Sequence, residues 1–265
     1  MARMTDSMFF PPGKLPVGIL ERLIRTYPST IHGVVVGASI GEDAAEIDFG
    51  EKYLLAKTDP ITFVAEVEKN RLITTGGARP GDDILLTKAI AIEGTSIMAR
   101  EKGEELAHWF GEEFLRRCRN LAEKPGISVL EDARIAMRDG RVHSMHDPTE
   151  GGLANALLEV AAAADVGLVV EEDRIPILDE YRVLCRHYGV DPLGFIASGS
   201  LLTMVEPSDS GKITRSLEEA GVPAASIGRI TPKEGGVKIR SEGRIKDLPR
   251  FGRDEIAKIL ERAIR

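Results

Sequence analysis

The sequence predicts an α+β protein in two parts, residues 1–70 and residues 71–265. Three observations lead there. The chain has 265 residues, 43% hydrophobic and 29% charged, which is ordinary globular composition with enough apolar material for a sizeable core. Stretches with a hydrophobic period of two alternate with stretches of period 3.6. Between the two parts, Gly76-Gly77 and Pro80-Gly81 mark loops. The first part reads as a short α/β region, and the second as a mostly antiparallel sheet flanked by helices.

In the first part, Leu15, Ile19, Leu20, Leu23 and Ile24 share a helical face, which Pro28 ends. The valines after Gly33 lead to short strands at 44–48 and 53–58, with Gly50-Glu51 as a tight turn. In the second part, 84–92 is an extended apolar run, 104–118 an amphipathic helix and 130–137 a shorter helix. A long helix follows Asp147-Pro148, with Leu153, Leu157, Val160 and Ala164 on one face. Strand 167–171, helix 179–188, strand 200–205, helix 209–220, strands 225–230 and 236–240 and a helix at 254–263 complete the order.

Charge narrows the function classes. Lys plus Arg is 35 against 42 for Asp plus Glu, a net charge of −7, which repels phosphate backbones and argues against general nucleic-acid binding without a local basic patch. No apolar run is long enough to span a bilayer, and residues 1–12 hold no continuous apolar signal region. The expected location is cytoplasmic, with no membrane or nucleic-acid partner. Cysteine usage agrees: Cys118 and Cys185 are the only two, each on a helical apolar stripe, and read as small buried hydrophobes.

Two features carry chemistry. If a hairpin is centred on Glu51, Ile47 faces Leu55, Ala45 faces Lys57, and Asp43 faces Asp59 at the open end. Opposed carboxylates repel unless a hard cation such as Mg²⁺, shared with a phosphate, sits between them. The alternative is two loop aspartates serving turns. The second feature is the run from His146 through Asp147, Pro148, Thr149, Glu150, Gly151 and Gly152 to Leu153. Asp147 as N-cap, Pro148 as first helical residue and Glu150 in a capping box account for a helix start. The glycine pair costs about 1 kcal/mol per residue relative to alanine in a first turn. It suits either an anion approaching the backbone amides or close helix packing.

His143 and His146, three apart in an extended segment, point to opposite faces and make a poor metal pair. Lys14 reads as a solvated side chain, and Gly199 as a turn glycine before a strand.

Taken together, Gly41-Glu42-Asp43-Ala44-Ala45, Lys57-Thr58-Asp59 and the run from Asp147 to Leu153 resemble the three markers of the aminoimidazole ribonucleotide (AIR) synthetase-like superfamily. Selenophosphate synthetase, thiamine-monophosphate kinase and the hydrogenase-maturation protein HypE belong to that group. The stretches 75–99 and 189–205 look most like archaeal HypE-related members. The resemblance implies a two-domain fold, usually a homodimer, that uses Mg²⁺ and ATP to phosphorylate an oxygen. It implies that Asp43 and Asp59 hold the metal, and that they bind nucleotide together with Asp147, Thr149, Gly151 and Gly152. A maturation protein is the partner it points to. A non-catalytic assembly partner and a small-molecule kinase are the alternatives.

Two departures accompany it. HypE proper carries an acceptor cysteine at its C-terminus, whereas this sequence ends Glu261-Arg262-Ala263-Ile264-Arg265, so self-carbamoylation is expected to lack its acceptor. No cysteine lies in the N-terminal loop, which disfavours selenophosphate synthetase. The family also carries a long stretch after the Asp59 strand, where this chain runs almost at once into residues 67–72, read as the exit from a shortened first domain.

Overall fold

The computed structural model describes residues 34–37, 44–59 and 61–261, so the helical face at 15–24, Lys14 and Asp43 lie outside the described residues. Two sheets organise the chain. The first is a four-stranded antiparallel meander of β1 (Val34–Val36), β2 (Ala45–Phe49), β3 (Lys52–Asp59) and β4 (Ile61–Glu68), side by side in chain order.

The β2–β3 turn is the two-residue Gly50-Glu51, with Gly50 at φ 77° and its amide donating to Asp48 Oδ1 at 3.1 Å. A two-residue turn centres the hairpin between residues rather than on one. Ala45 therefore pairs with Ala56 and Ile47 with Leu54, one position away from the expected register. That slip removes the derivation that set Asp43 opposite Asp59. Asp59 closes β3 opposite Ile61, and only its backbone is described. Residues 61–68 form a full strand that pairs with β3 from Lys52↔Glu68 to Asp59↔Ile61, so the segment 67–72, expected as the exit from the domain, begins inside β4.

The second sheet has seven strands in the order β11-β10-β7-β9-β5-β8-β6. They are β5 (Asp83–Thr87), β6 (Val142–His146), β7 (Gly167–Glu171), β8 (Leu202–Val205), β9 (Ala224–Thr231), β10 (Val237–Ser241) and β11 (Arg244–Asp247). β7 and β10 run parallel and the other neighbours antiparallel, giving the mostly antiparallel sheet expected. The helices are α1 (Ile92–Glu101), α2 (Gly103–Phe110), α3 (Glu112–Asn120), α4 (Leu130–Asp139), α5 (Gly152–Ala164), α6 (Asp179–Tyr188), α7 (Pro207–Glu219) and α8 (Glu255–Glu261).

Central strand β5 shows how the sheet feeds two cores, because successive side chains point to opposite faces. Ile84 and Leu86 pack with Met98 of α1, Leu115 of α3, Leu157 of α5 and Leu184 of α6. Leu85 joins a smaller core with Ile135 of α4 and Ile213 and Leu217 of α7. Cys118 and Cys185 are buried in the larger core, and desolvation pushes their thiols up to about 12 and about 11. They are the inert small hydrophobes the sequence predicts. Among the described side chains every buried hydrophobic one lies at or after Ala78, so those described in the four-stranded sheet contribute none.

Two predicted elements divide. The apolar run 84–92 is strand only to Thr87; Lys88 and Ala91, at φ 55° and 60°, then turn the chain into α1. The helix expected over 104–118 breaks at Gly111, at φ 84° and ψ 161°, into α2 and α3. The break changes the helical phase, so Trp109 is 63% exposed while Leu106, Phe114 and Cys118 are buried.

Candidate functional site

The turn between β6 and α5 carries Asp147, Thr149, Gly151 and Gly152, and its local structure differs from the expected capping box. α5 begins at Gly152, and the residue preceding it is Gly151 at φ 79° and ψ 2°. Asp147 is therefore not the cap, and Pro148 is buried ahead of the helix rather than forming its first residue. Two consecutive residues at positive φ, 79° and 68°, turn the chain too sharply for the simple cap. Thr149 holds the turn closed, its carbonyl accepting from the Gly152 amide at 3.1 Å and the Ala197 amide at 3.2 Å.

Close packing explains the glycine at 152. A Cβ there would meet the Leu193 carbonyl oxygen at 2.5 Å and Phe195 backbone atoms at 2.7 and 2.8 Å. An anion is also present, and it belongs to the chain. The Gly151 amide donates to Asp254 Oδ2 at 2.7 Å, while Oδ1 of the same carboxylate accepts from Ile196 at 3.2 Å and Ile256 at 2.9 Å. A negative group at a helix N-terminus is favoured by the helix dipole and by the donors left over there. Burial nevertheless pushes the Asp254 carboxyl above its usual range, against the pull of the three amides. Asp254 was invisible as a partner of this turn, since nothing in sequence ties residues 103 apart. Around the turn, Asp147 and Glu150 are exposed and Thr149 is half-buried.

The two histidines on β6 serve different partners. His146 Nε2 lies 3.0 Å from Glu159 Oε2 on α5, and its Nδ1 lies 3.4 Å from Thr75 Oγ1. His143 Nδ1 lies 2.8 Å from Asp82 Oδ1. Among the described residues, no three His, Cys, Asp or Glu side chains gather closely enough to hold a metal ion. The Asp43 and Asp59 carboxylates are not among the side chains described. Gly199 sits in the turn before β8 against Ile92, where a Cβ would meet the Ile92 Cβ at 3.0 Å. No described helix is long and apolar enough to cross a membrane.

A seven-stranded, mostly antiparallel sheet with helices on both faces and a double-glycine turn leading into α5 defines the class: an AIR synthase-like α+β protein. Residues 79–240 match the family of AIR synthase related proteins, C-terminal domain, and the chain belongs to that family. It is 27% identical over 234 residues to a putative hydrogenase expression/formation protein of Methanocaldococcus jannaschii, covering 87% of this chain and 65% of that protein. It is 30% identical over 171 residues to carbamoyl dehydratase HypE of Cupriavidus necator, covering 64% of this chain and 46% of that one. Two solved structures share the fold. HypE in complex with ATP aligns with a TM-score of 0.55 at 24% identity, over 74% of this chain and 58% of that one. A ThiL protein complexed with AMPPCP and TMP aligns at 0.59 and 14%, over 88% and 94%. The chain spans 43% to 65% of the length of the first curated relatives it matches.

Proposed function

We propose that the chain is an ATP- and Mg²⁺-dependent protein of HypE type that activates an oxygen by phosphoryl transfer in hydrogenase metal-centre maturation. The observation that carries this reading is the family match over 79–240, which contains the whole Asp147–Gly152 turn and follows Asp43 and Asp59 in chain order. The hydrogenase assignment draws on relatives named for hydrogenase formation and carbamoyl dehydration. A HypE structure described with ATP supports the nucleotide.

In this reading Asp43 and Asp59 hold Mg²⁺, a hard cation that favours carboxylate oxygens. Asp147 and Thr149 offer polar groups on the phosphate side, and Gly151 and Gly152 shape the turn that presents them. Phosphoryl transfer asks the protein chiefly for positioning and charge neutralisation, which suits acidic ligands and a fixed backbone turn. The division at residues 70 and 71, in the segment between β4 and β5, separates the metal aspartates from the turn.

A homodimer fits the four-stranded sheet, which buries no hydrophobic side chain among those described and gains by covering a face against a second copy. A maturation-protein partner is suggested by a neighbour described as a HypE-HypF complex. A second reading, a small-molecule kinase, is favoured by one observation: a thiamine-monophosphate kinase of Pyrococcus horikoshii is 25% identical over 86% of this chain. Titration calorimetry with Mg-ATP tests the shared core of both. A folded sample that takes up no nucleotide at millimolar concentration would overturn them, and phosphorylation of added metabolites would favour the kinase.

A further inference from the structure

At the start of β6, the end opposite Asp147, lies a groove of about 800 Å³ that the nucleotide reading leaves unused. Its charge runs against the whole molecule. Arg71, Arg79, Arg134, Arg138 and Arg141 line it with a single acidic residue, Glu131, in a chain whose net charge is −7. They come from three places in the fold: the segment after β4, helix α4, and the entry to β6.

Two of the five already have carboxylates. Arg138 pairs with Asp139 at 2.6 Å, and Arg141 with Asp209 at 3.0 Å. Among the described residues, Arg71, Arg79 and Arg134 pair with none. Arg79 is instead held by a relay whose protons follow from geometry. Its guanidinium only donates, so Nη1, 3.4 Å from His143 Nε2, requires that nitrogen to accept. A neutral His143 then carries its proton on Nδ1 and donates it to buried Asp82 Oδ1 at 2.8 Å. The Arg79 amide donates to the other Asp82 oxygen at 2.9 Å. The Arg79 backbone and guanidinium are thus both anchored through Asp82.

We propose that this groove binds a small, multiply charged phosphate ester or oligophosphate. Guanidinium forks match phosphate oxygens in pairs, and converging unpaired arginines raise the local concentration of anions. The volume is that of a small-molecule site rather than an extended macromolecular track. Ile73, Met137 and Val142 also line the groove and offer apolar surface to the organic part of an ester.

The test is titration calorimetry on the full chain with inorganic tripolyphosphate, without divalent metal, which uncouples it from the Mg-ATP experiment. Binding is expected in wild type, weakened by added KCl and by about tenfold or more in the double variant Arg71→Gln/Arg134→Gln. Both substituted side chains are exposed, and circular dichroism checks that the fold survives. Lys246→Gln, on exposed β11 at the opposite edge of the sheet from β6, is expected to bind tripolyphosphate as wild type does. A parallel titration with AMP separates the sources: tighter AMP binding identifies an ester with an organic body, and tighter tripolyphosphate binding an inorganic or oligophosphate ligand. Absence of binding to either probe overturns the proposal, as does affinity unchanged in the double variant.

Discussion

Lys88 and Asp132 form an ion pair inside the protein, Nζ 3.4 Å from Oδ1, with side chains 5% and 3% exposed. Lys88 stands at the end of β5 at φ 55°, and its ammonium also donates to the Ser128 carbonyl at 2.7 Å. The pair therefore ties the central strand to the start of α4. Removing one partner strands a charge in the interior, and Asp132→Ala is expected to cost about 3–5 kcal/mol in chemical denaturation. An apolar double replacement, Lys88→Met with Asp132→Leu, should recover most of that loss. Equal instability of single and double variants would mean that packing, not charge, governs the site.

Gly152→Ala should be costly for a different reason. The added methyl meets backbone atoms of Leu193 and Phe195, which cannot swing aside as a side chain would, at a residue already at φ 68°. A loss of about 2–4 kcal/mol is expected, read as a lowered denaturation midpoint with unchanged slope.

Asp254 gives a pH signature. Burial raises its native pKa above the ordinary 3.8, more than its three amide donors lower it. The native state therefore keeps a proton on Asp254 at pH values where the unfolded chain has released it. Its contribution is full below the unfolded value and is lost as pH rises through the higher native one. The stability of wild type relative to Asp254→Asn should accordingly narrow as pH increases from about 4 upward. Denaturation curves at several pH values check this, and a gap that widens over that range would refute it.

If Asp59 holds Mg²⁺ as proposed, Asp59→Asn and removal of divalent metal by EDTA should each reduce ATP turnover about a hundredfold or more. Far-ultraviolet circular dichroism should not change. Turnover that survives either treatment would remove Asp59 from the metal site.

Much of the second part of the chain was legible in its sequence. β7 and α6 run over the same residues as their hydrophobic patterns predict, because each pairs a clear period with a clean boundary. α1 was not legible: its first residue, Ile92, closed the apolar run 84–92, and the rest was assigned to no element, because Gly94, Thr95 and Ser96 are buried beside Met98 and Ala99 and blur the contrast that marks a helical period. The β2–β3 register missed by one because the choice between a one-residue centre and a two-residue turn leaves the hydrophobic pattern almost unchanged. At the candidate site, the glycines were legible as something requiring close approach. What approaches them, the 193–195 backbone and the Asp254 carboxylate, depends on tertiary contacts that no local pattern encodes.

The Gly151–Asp254 bond also sets an order of events during synthesis. A ribosome releases the β6–α5 turn long before it adds residue 254, and until then the Gly151 and Ile196 amides lack the Asp254 carboxylate that accepts from them. The nascent chain finishes this turn only when the residue leading into its last described helix, α8, arrives. Chains halted before that point would leave the start of α5 open to water.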